Sequence, residues 1–523
     1  MVTHALQRRA VPRVGSFLGG WTGTAVLLAV LLAVSLFSRT RALDGPFWID
    51  EGLSVGIASF PFSQIPEVLR QDGSPPLYYL LLHAWTDVFG SSEAATHALS
   101  LGFALLAVPA ALWAGWTLFG RNVAWIAAAL VAVNPFLTVY AQETRMYSLV
   151  ILLSVLATAA FVHAFVFRRR RYVPFFALVL TLMLYVHNWA LFFALGAAVA
   201  VAFTARETRE RRKLVLDAAL AFATAALLYA PWVPTLVYQA LHTGAPWSKP
   251  PSPRDLVAAM SAVLSGQGAL VAFLLAAGTA LLGSILRDEP SRERTAVIAL
   301  LALAAGTLFS GWLYSQISPA WAIRYLGILL GPLLLLAGVG IARAGRLGLV
   351  ALTIVLLFWV PFRANGEKSN ARELAARFDT YLAPGDVVLS TQPEQVPVLA
   401  YYFRSDVRWA TPLGRVSETR VMDWRDAVSR LRAARPRTEL EPLLDDMPVG
   451  SHVMLIRPVV RNEDAWTAEW TSLVRRRSGA WARALARDRR FELAAAAVPS
   501  YASRVVRPLR ADLFTKVARA EAP

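Results

Sequence analysis

The feature that most limits this chain is a series of apolar runs, each about as long as a helix needs to cross a bilayer. "WTGTAVLLAVLLAVSLF" at 21–37 and "LGILLGPLLLLAGVGIA" at 326–342 carry no charged residue. A hydrocarbon core of about 30 Å takes roughly 20 residues of helix, and lipid tolerates only backbone that bonds to itself. Runs of this kind predict spans near 18–38, 97–119, 123–141, 146–167, 173–186, 189–205, 215–236, 268–286, 295–316, 322–342 and 347–362. With 56% hydrophobic and 17% charged residues, an ordinary soluble globule is excluded. The expected class is a polytopic α-helical membrane protein of about 11 transmembrane helices.

Charge orients these spans. The net charge is +17, and the excess gathers in alternate connections: "LQRRAVPR", "GRN", "RRRR" at 168–171, "RETRERRK" at 206–213, "RDEPSRER" and "RAGR". The other connections, 39–96, the turns near 142 and 187, 237–254 and 317–321, are poorer in Lys and Arg. Lys and Arg concentrate on the cytoplasmic side, so the N-terminus is expected inside and the tail from Arg363 outside. The basic runs then act as topological anchors, and no nucleic-acid partner is expected. The first span follows a basic stretch, as a signal peptide would. It is long, other spans succeed it and no clear small-residue cleavage site follows, so a retained signal anchor is expected. The chain has no cysteine, which rules out disulfides, a thiol nucleophile and thiolate metal sites.

Two domains are expected, 1–362 in the membrane and an extracytoplasmic domain at 363–523. The tail is polar and rich in Arg, with Lys368 and Lys516 its only lysines. "ARELAARFDTYLAPGDVVLST" reads as amphipathic helix, Pro-Gly turn and buried strand. "MDWRDAVSRLRAARP" followed by "EPLLDDMPVGSHVMLIRPVV" repeats that order, and "RRFELAAAAVP" adds a strand, which predicts a small α/β domain. No glycine-rich phosphate loop opens any of these helices.

The first outer connection, about 39–96, contains "FWIDEGLS", "PFSQIPEVLRQ" and "DGSPPLYYLLLHAW". The last two predict short interfacial helices, with Phe60, Phe62, Ile65, Val68 and Leu69 on one apolar face. Asp50 and Glu51 stand just past the first span, and carboxylates at a bilayer edge are costly unless they face water, a partner or a cavity. They either solvate the boundary or do chemistry. Three further outer ends carry polar groups. "YAQETRMYSL" holds Glu143, Arg145 and Tyr147, where Glu143 and Arg145 either neutralise one another or serve a site. "LYVHNWALF" holds His187, an interfacial hydrogen-bonding residue or a ligand contact. "SPAWAIRYLGILLGP" holds Arg324 and Tyr325, with Arg324 either snorkelling to the interface or gripping a phosphate with its planar fork. Together they are the groups a lipid-phosphate substrate requires: arginines for the phosphate, a carboxylate to take a proton, aromatics for sugar rings.

These stretches, with "YAPWVPTL" at 229–236, resemble the GT-C superfamily of integral-membrane glycosyltransferases over residues 18 to about 362. More closely they resemble its bacterial family 39-like group, the protein mannosyltransferases and lipid A aminoarabinose transferases. The resemblance implies transfer of a sugar, mannose first, from a polyprenyl-phosphate donor on the outer face of the cytoplasmic membrane, with inversion. The acceptor is a glycan, lipid or protein, and membrane lipids surround the chain. It implies Asp50 as base with Glu51 beside it supporting the base or the acceptor, phosphate contacts from Arg145 and Arg324, Glu143 orienting Arg145 or the acceptor, and Asp72 as part of the same loop signature. On the reading of the residues, Tyr147, His187 and Tyr325 are candidate substrate contacts beside them. No cofactor and no obligatory metal are implied. His97 in "EAATHALS" departs from the Arg common in that group, so an anion contact there is not carried over. A transporter or flippase for a lipid-linked glycan is the alternative, and it predicts polar residues at span centres and an inverted repeat. Further alternatives are a scaffold whose tail binds the cell wall, and a polymerase or ligase of lipid-linked oligosaccharide.

Overall fold

The structure, a computed structural model, describes residues 20–285, 291–500 and 503–518. The basic stretch before the first span and residues 287–290 of the "RDEPSRER" loop lie outside the described residues. Among the described residues, seven helices are long and apolar enough to cross a membrane: Trp21–Arg39, Glu93–Phe119, Tyr147–Val166, Ala190–Glu207, Arg211–His242, Arg292–Ile317 and Ile323–Arg343. An eighth counts only if Pro253–Val263 and Gln267–Phe273, bent by 85°, form one span. The other three predicted runs are the shorter helices Arg121–Val133, Val173–Val186 and Gly345–Trp359.

Two breaks account for the first two differences. Asn134 ends Arg121–Val133 and caps Pro135–Tyr140, its side-chain oxygen accepting from Leu137 N at 2.9 Å. The 85° bend falls where Ser265 and Gly266 adopt positive φ, 57° and 125°. Ser265 Oγ accepts from Phe136 N at 3.1 Å, so the bend docks onto the Asn134 break. Arg39 closes the first span. It is fully buried and donates to Ser35 Oγ at 2.5 Å and to Val131 O at 2.7 Å, which pins the start of the first connection to the helix bundle.

The helices sort their ends. Tyr147–Val166 starts beside Arg145 and runs toward the arginines at 168–171, while Ala190–Glu207 starts beside His187 and ends beside Arg206. Arg292–Ile317 runs the other way, from a basic start to the 318–321 turn, and Ile323–Arg343 returns from Arg324 to Arg343. The acidic and aromatic residues of interest therefore share one end of the bundle.

The tail folds around a six-stranded sheet: β1 (Val387–Ser390), β2 (Arg408–Thr411), β3 (Gly414–Val416), β4 (His452–Pro458), β5 (Phe491–Ala497) and β6 (Leu509–Lys516). The order is β3-β2-β1-β4-β6-β5, with β1 parallel to both β2 and β4 and the remaining pairs antiparallel. All four β1 residues are buried, as a central parallel strand covered on both faces must be.

The first connection forms three helices, Ile49–Ala58, Ile65–Asp72 and Leu77–Phe89. Ile65, Leu69 and Phe60 are buried on the expected apolar face, but Phe62 is exposed. Ile49–Ala58 packs directly on the tail. A Cβ on Gly52 would lie 2.5 Å from Val398 Cα, and one on Gly56 would lie 2.0 Å from Arg420 O. Only glycine permits that backbone approach, so the helix bearing the acidic pair is held by both parts of the chain.

Candidate active site

Asp50 and Glu51 fall in the first turn of Ile49–Ala58, where acidic side chains complement the helix dipole. Glu51 reaches back to cap the helix start: its Oε2 accepts from Trp48 N at 3.3 Å. Its Oε1 meets Lys368 Nζ at 2.7 Å, His97 Nε2 at 2.6 Å and Thr144 N at 2.9 Å. The side chain is wholly buried. Burial pushes the Glu51 carboxyl up, but Lys368 and His97 outweigh it and hold the group at about 2. Both oxygens of Glu51, the expected neighbour of the base, are thus engaged at the junction of first connection, bundle and tail.

Asp50 is placed differently. It lines a cavity of about 420 Å³, and its Oδ2 is buried without a hydrogen bond. Arg324 Nη2 lies 3.5 Å from that oxygen, an ion pair without hydrogen-bond alignment. Arg145 approaches from the other element: its Nη1 donates to Asp50 O at 3.1 Å and to Ser54 Oγ at 2.9 Å. Burial works against the charge of Arg145, but Tyr79, Tyr147, Asp50 and Asp72 around it keep it firmly protonated. Both guanidinium groups retain an unpartnered Nε.

The remaining expected residues divide. Asp72, His187 and Tyr325 line the same cavity. Asp72 ends Ile65–Asp72, just before Gly73 turns into the left-handed region at φ 100°, and burial raises its carboxyl. His187 Nδ1 accepts from Trp189 N at 3.1 Å, so the neutral ring carries its proton on Nε2. Burial, then Arg145 and Arg324, lower His187 to about 3, which keeps it neutral. Its ring packs edge-on to Tyr325, centroids 4.5 Å apart. Tyr147 and Glu143 are buried and do not line the cavity. Tyr147 packs against Tyr140, His187 and Tyr325 with its hydroxyl unpartnered. Glu143 has an unpartnered Oε2; burial and the neighbouring Glu51 push it up to about 7 against the pull of Lys368 and Arg507.

Four contributors escape reading from local motifs. Trp247, from the 237–254 connection, lines the cavity under Arg324, whose Cζ lies 4.7 Å from its ring centroid. Trp424 closes the cavity from the tail, its N–H donating to Gln71 O at 2.9 Å. Lys368 and Arg507 also come from the tail, Arg507 with its Cζ 3.5 Å from the Trp48 ring centroid. The lone tail-start lysine was the only hint available for any of them. Leu191, Phe192, Leu236, Val237 and Tyr314 form an apolar side of the cavity between bundle helices, and Leu191, Val237 and Tyr314 are exposed. The cavity thus joins a charged end to an apolar opening on the helix surface.

No family model and no curated protein sequence matches the chain. Solved structures do. ArnT from Cupriavidus metallidurans in the apo state superposes with TM-score 0.63 and 15% identity, covering 96% of this chain and 99% of that one. The same protein bound to undecaprenyl phosphate gives 0.60 and 15%, with 96% and 100% covered. The arabinofuranosyltransferase AftD from Mycobacteria gives 0.52 and 15%, with 96% of this chain but 40% of AftD covered. These neighbours are GT-C superfamily glycosyltransferases, and the chain has the GT-C fold.

Proposed function

We propose that this chain is a membrane glycosyltransferase that moves a sugar from a polyprenyl-phosphate donor to an acceptor hydroxyl. One observation carries the reading: Asp50 presents a buried, unbonded carboxylate oxygen to a cavity flanked by two arginines and open on an apolar side. The polyprenyl chain lies along Leu191, Phe192, Leu236 and Val237, and the phosphate lies toward Arg145 and Arg324. The acceptor oxygen attacks the anomeric carbon as the bond from that carbon to the phosphate oxygen breaks. Asp50 takes the hydroxyl proton, and polyprenyl phosphate leaves with the electron pair of the broken bond. Attack opposite the leaving group inverts the anomeric centre. The arginines stabilise charge gathering on the phosphate, and His187 offers its Nε2–H as a neutral donor to a sugar or phosphate oxygen. The base abstracts a proton without a covalent intermediate, so Glu51 need not reach the substrate.

In the membrane, the arginine-rich helix ends are cytoplasmic, while the site and the tail are extracytoplasmic, by the distribution of Lys and Arg. The test uses purified full-length protein in detergent with labelled polyprenyl-phosphate mannose, arabinose, galactose and glucose, plus membrane extract as acceptor source. Consumption of one donor with release of polyprenyl phosphate is expected. Failure to bind or consume any of them contradicts the reading.

A further inference from the structure

Residues 503–508 run as a strap beside the start of the tail at 367–369. Val506 N donates to Glu367 O at 3.0 Å, Arg507 N donates to Lys368 O at 3.1 Å, and Arg507 bridges to Ser369 as an isolated parallel pair. Lys368 and Arg507 are therefore backbone neighbours, and they face the two neighbouring acids of Ile49–Ala58 in different ways. Lys368 is used up on Glu51 at 2.7 Å. Arg507 stays exposed at one edge but lays its guanidinium on Trp48, and this packing lowers its pKa, with Asp50 and Glu143 acting the other way through space. Arg324 reaches the same indole, its Cζ 5.9 Å from the ring centroid. Two guanidinium groups thus converge on one ring, two residues before Asp50, and each repels the other.

Three guanidinium groups gather around Asp50: Arg324 lies 3.5 Å from its Oδ2, Arg145 donates to its carbonyl oxygen, and Arg507 stacks on Trp48 two residues earlier, while Glu51 is already matched by Lys368. Arg145 and Arg324 each keep an Nε without a partner. Such a cluster of planar donors suits an anion with several acceptor oxygens.

We propose that Arg507, delivered by the tail, is a further substrate-binding residue, and that with Arg324 it holds the phosphate of the polyprenyl-phosphate ligand beside Asp50. This rests on the glycosyltransferase reading. The tail is then part of the donor site, and the strap at 503–508 fixes the third cation that the bundle lacks.

The experiment measures binding of undecaprenyl phosphate, neutral undecaprenol and inorganic phosphate to the full-length protein in detergent. Wild type is compared with R507Q, R507K and a strap control, R504Q. R507Q is expected to weaken undecaprenyl phosphate about tenfold or more, the loss of a charged hydrogen-bond partner. Undecaprenol binding stays unchanged, R507K keeps an intermediate affinity, and R504Q behaves as wild type. Wild-type affinity for undecaprenyl phosphate in R507Q overturns the inference alone, as does a loss that falls equally on undecaprenol. Inorganic phosphate competing as well as the lipid overturns the assignment to a lipid phosphate. Wild type that fails to prefer undecaprenyl phosphate over undecaprenol overturns the glycosyltransferase reading itself. R507K keeps the test usable if R507Q fails to fold.

Discussion

Glu51 has donors on both carboxylate oxygens, whereas Asp50, one residue earlier in the same turn, keeps an oxygen with no hydrogen bond. On the proposed glycosyltransferase reading, that difference assigns Glu51 to structure and Asp50 to chemistry. Glu51→Gln removes the charge that matches buried Lys368, and breaking such a pair costs about 3–5 kcal/mol. Thermal unfolding in detergent is expected to fall markedly for Glu51→Gln and little for Asp50→Asn. Because Glu51 is held low, its contribution is full above the ordinary carboxylate value of 4.5, shrinks progressively as pH falls below it, and is gone once pH passes about 2. Glu143 has the opposite sign. Held up at about 7, it is protonated below that pH and adds negative charge above it. Undecaprenyl phosphate affinity is therefore expected to fall as pH rises through about 7, and Glu143→Gln is expected to flatten that step. An unchanged pH profile in Glu143→Gln contradicts the assignment.

At the scale of elements, the apolar runs were legible because lipid imposes one requirement on every span, length with internal hydrogen bonding. The predicted run at 123–141 hid a break because Asn134 and Pro135 are a cap and a first-turn residue, which hydropathy does not register. In the tail, β1, β4 and β5 were legible from apolar character. β2, β3 and β6 were not: they are short or carry charges such as Arg408, Arg415, Arg510 and Asp512. The helical state of Ile49–Ala58 also escaped reading, since its stability comes from the tail it packs on. Gly56 is the check on that packing. Gly56→Val places side-chain atoms into Arg420 O, and it is expected to loosen the tail. Faster proteolysis within residues 363–523 is the expected readout, and unchanged cleavage contradicts the packing account.

For the whole molecule, the candidate site combines three separated regions: the first connection, helix ends spread from Arg145 to Tyr325, and the tail. The residues at helix ends were readable because each sits in a short polar break between apolar runs. Trp424, Lys368 and Arg507 were not, because nothing near them in sequence records that the tail folds back onto residues 45–58. The orientation is testable because the chain has no cysteine to interfere. Ala433→Cys on the tail is expected to react with an impermeant maleimide in intact cells, and Arg209→Cys only after lysis. The reverse pattern places the site on the cytoplasmic face. The most direct test of the central claim is single-turnover transfer from bound polyprenyl-phosphate sugar, comparing wild type with Asp50→Asn. Loss of general-base help is expected to slow transfer about 10²–10⁴-fold while donor affinity stays near wild type. Transfer at the wild-type rate in Asp50→Asn contradicts the assignment of Asp50 as base.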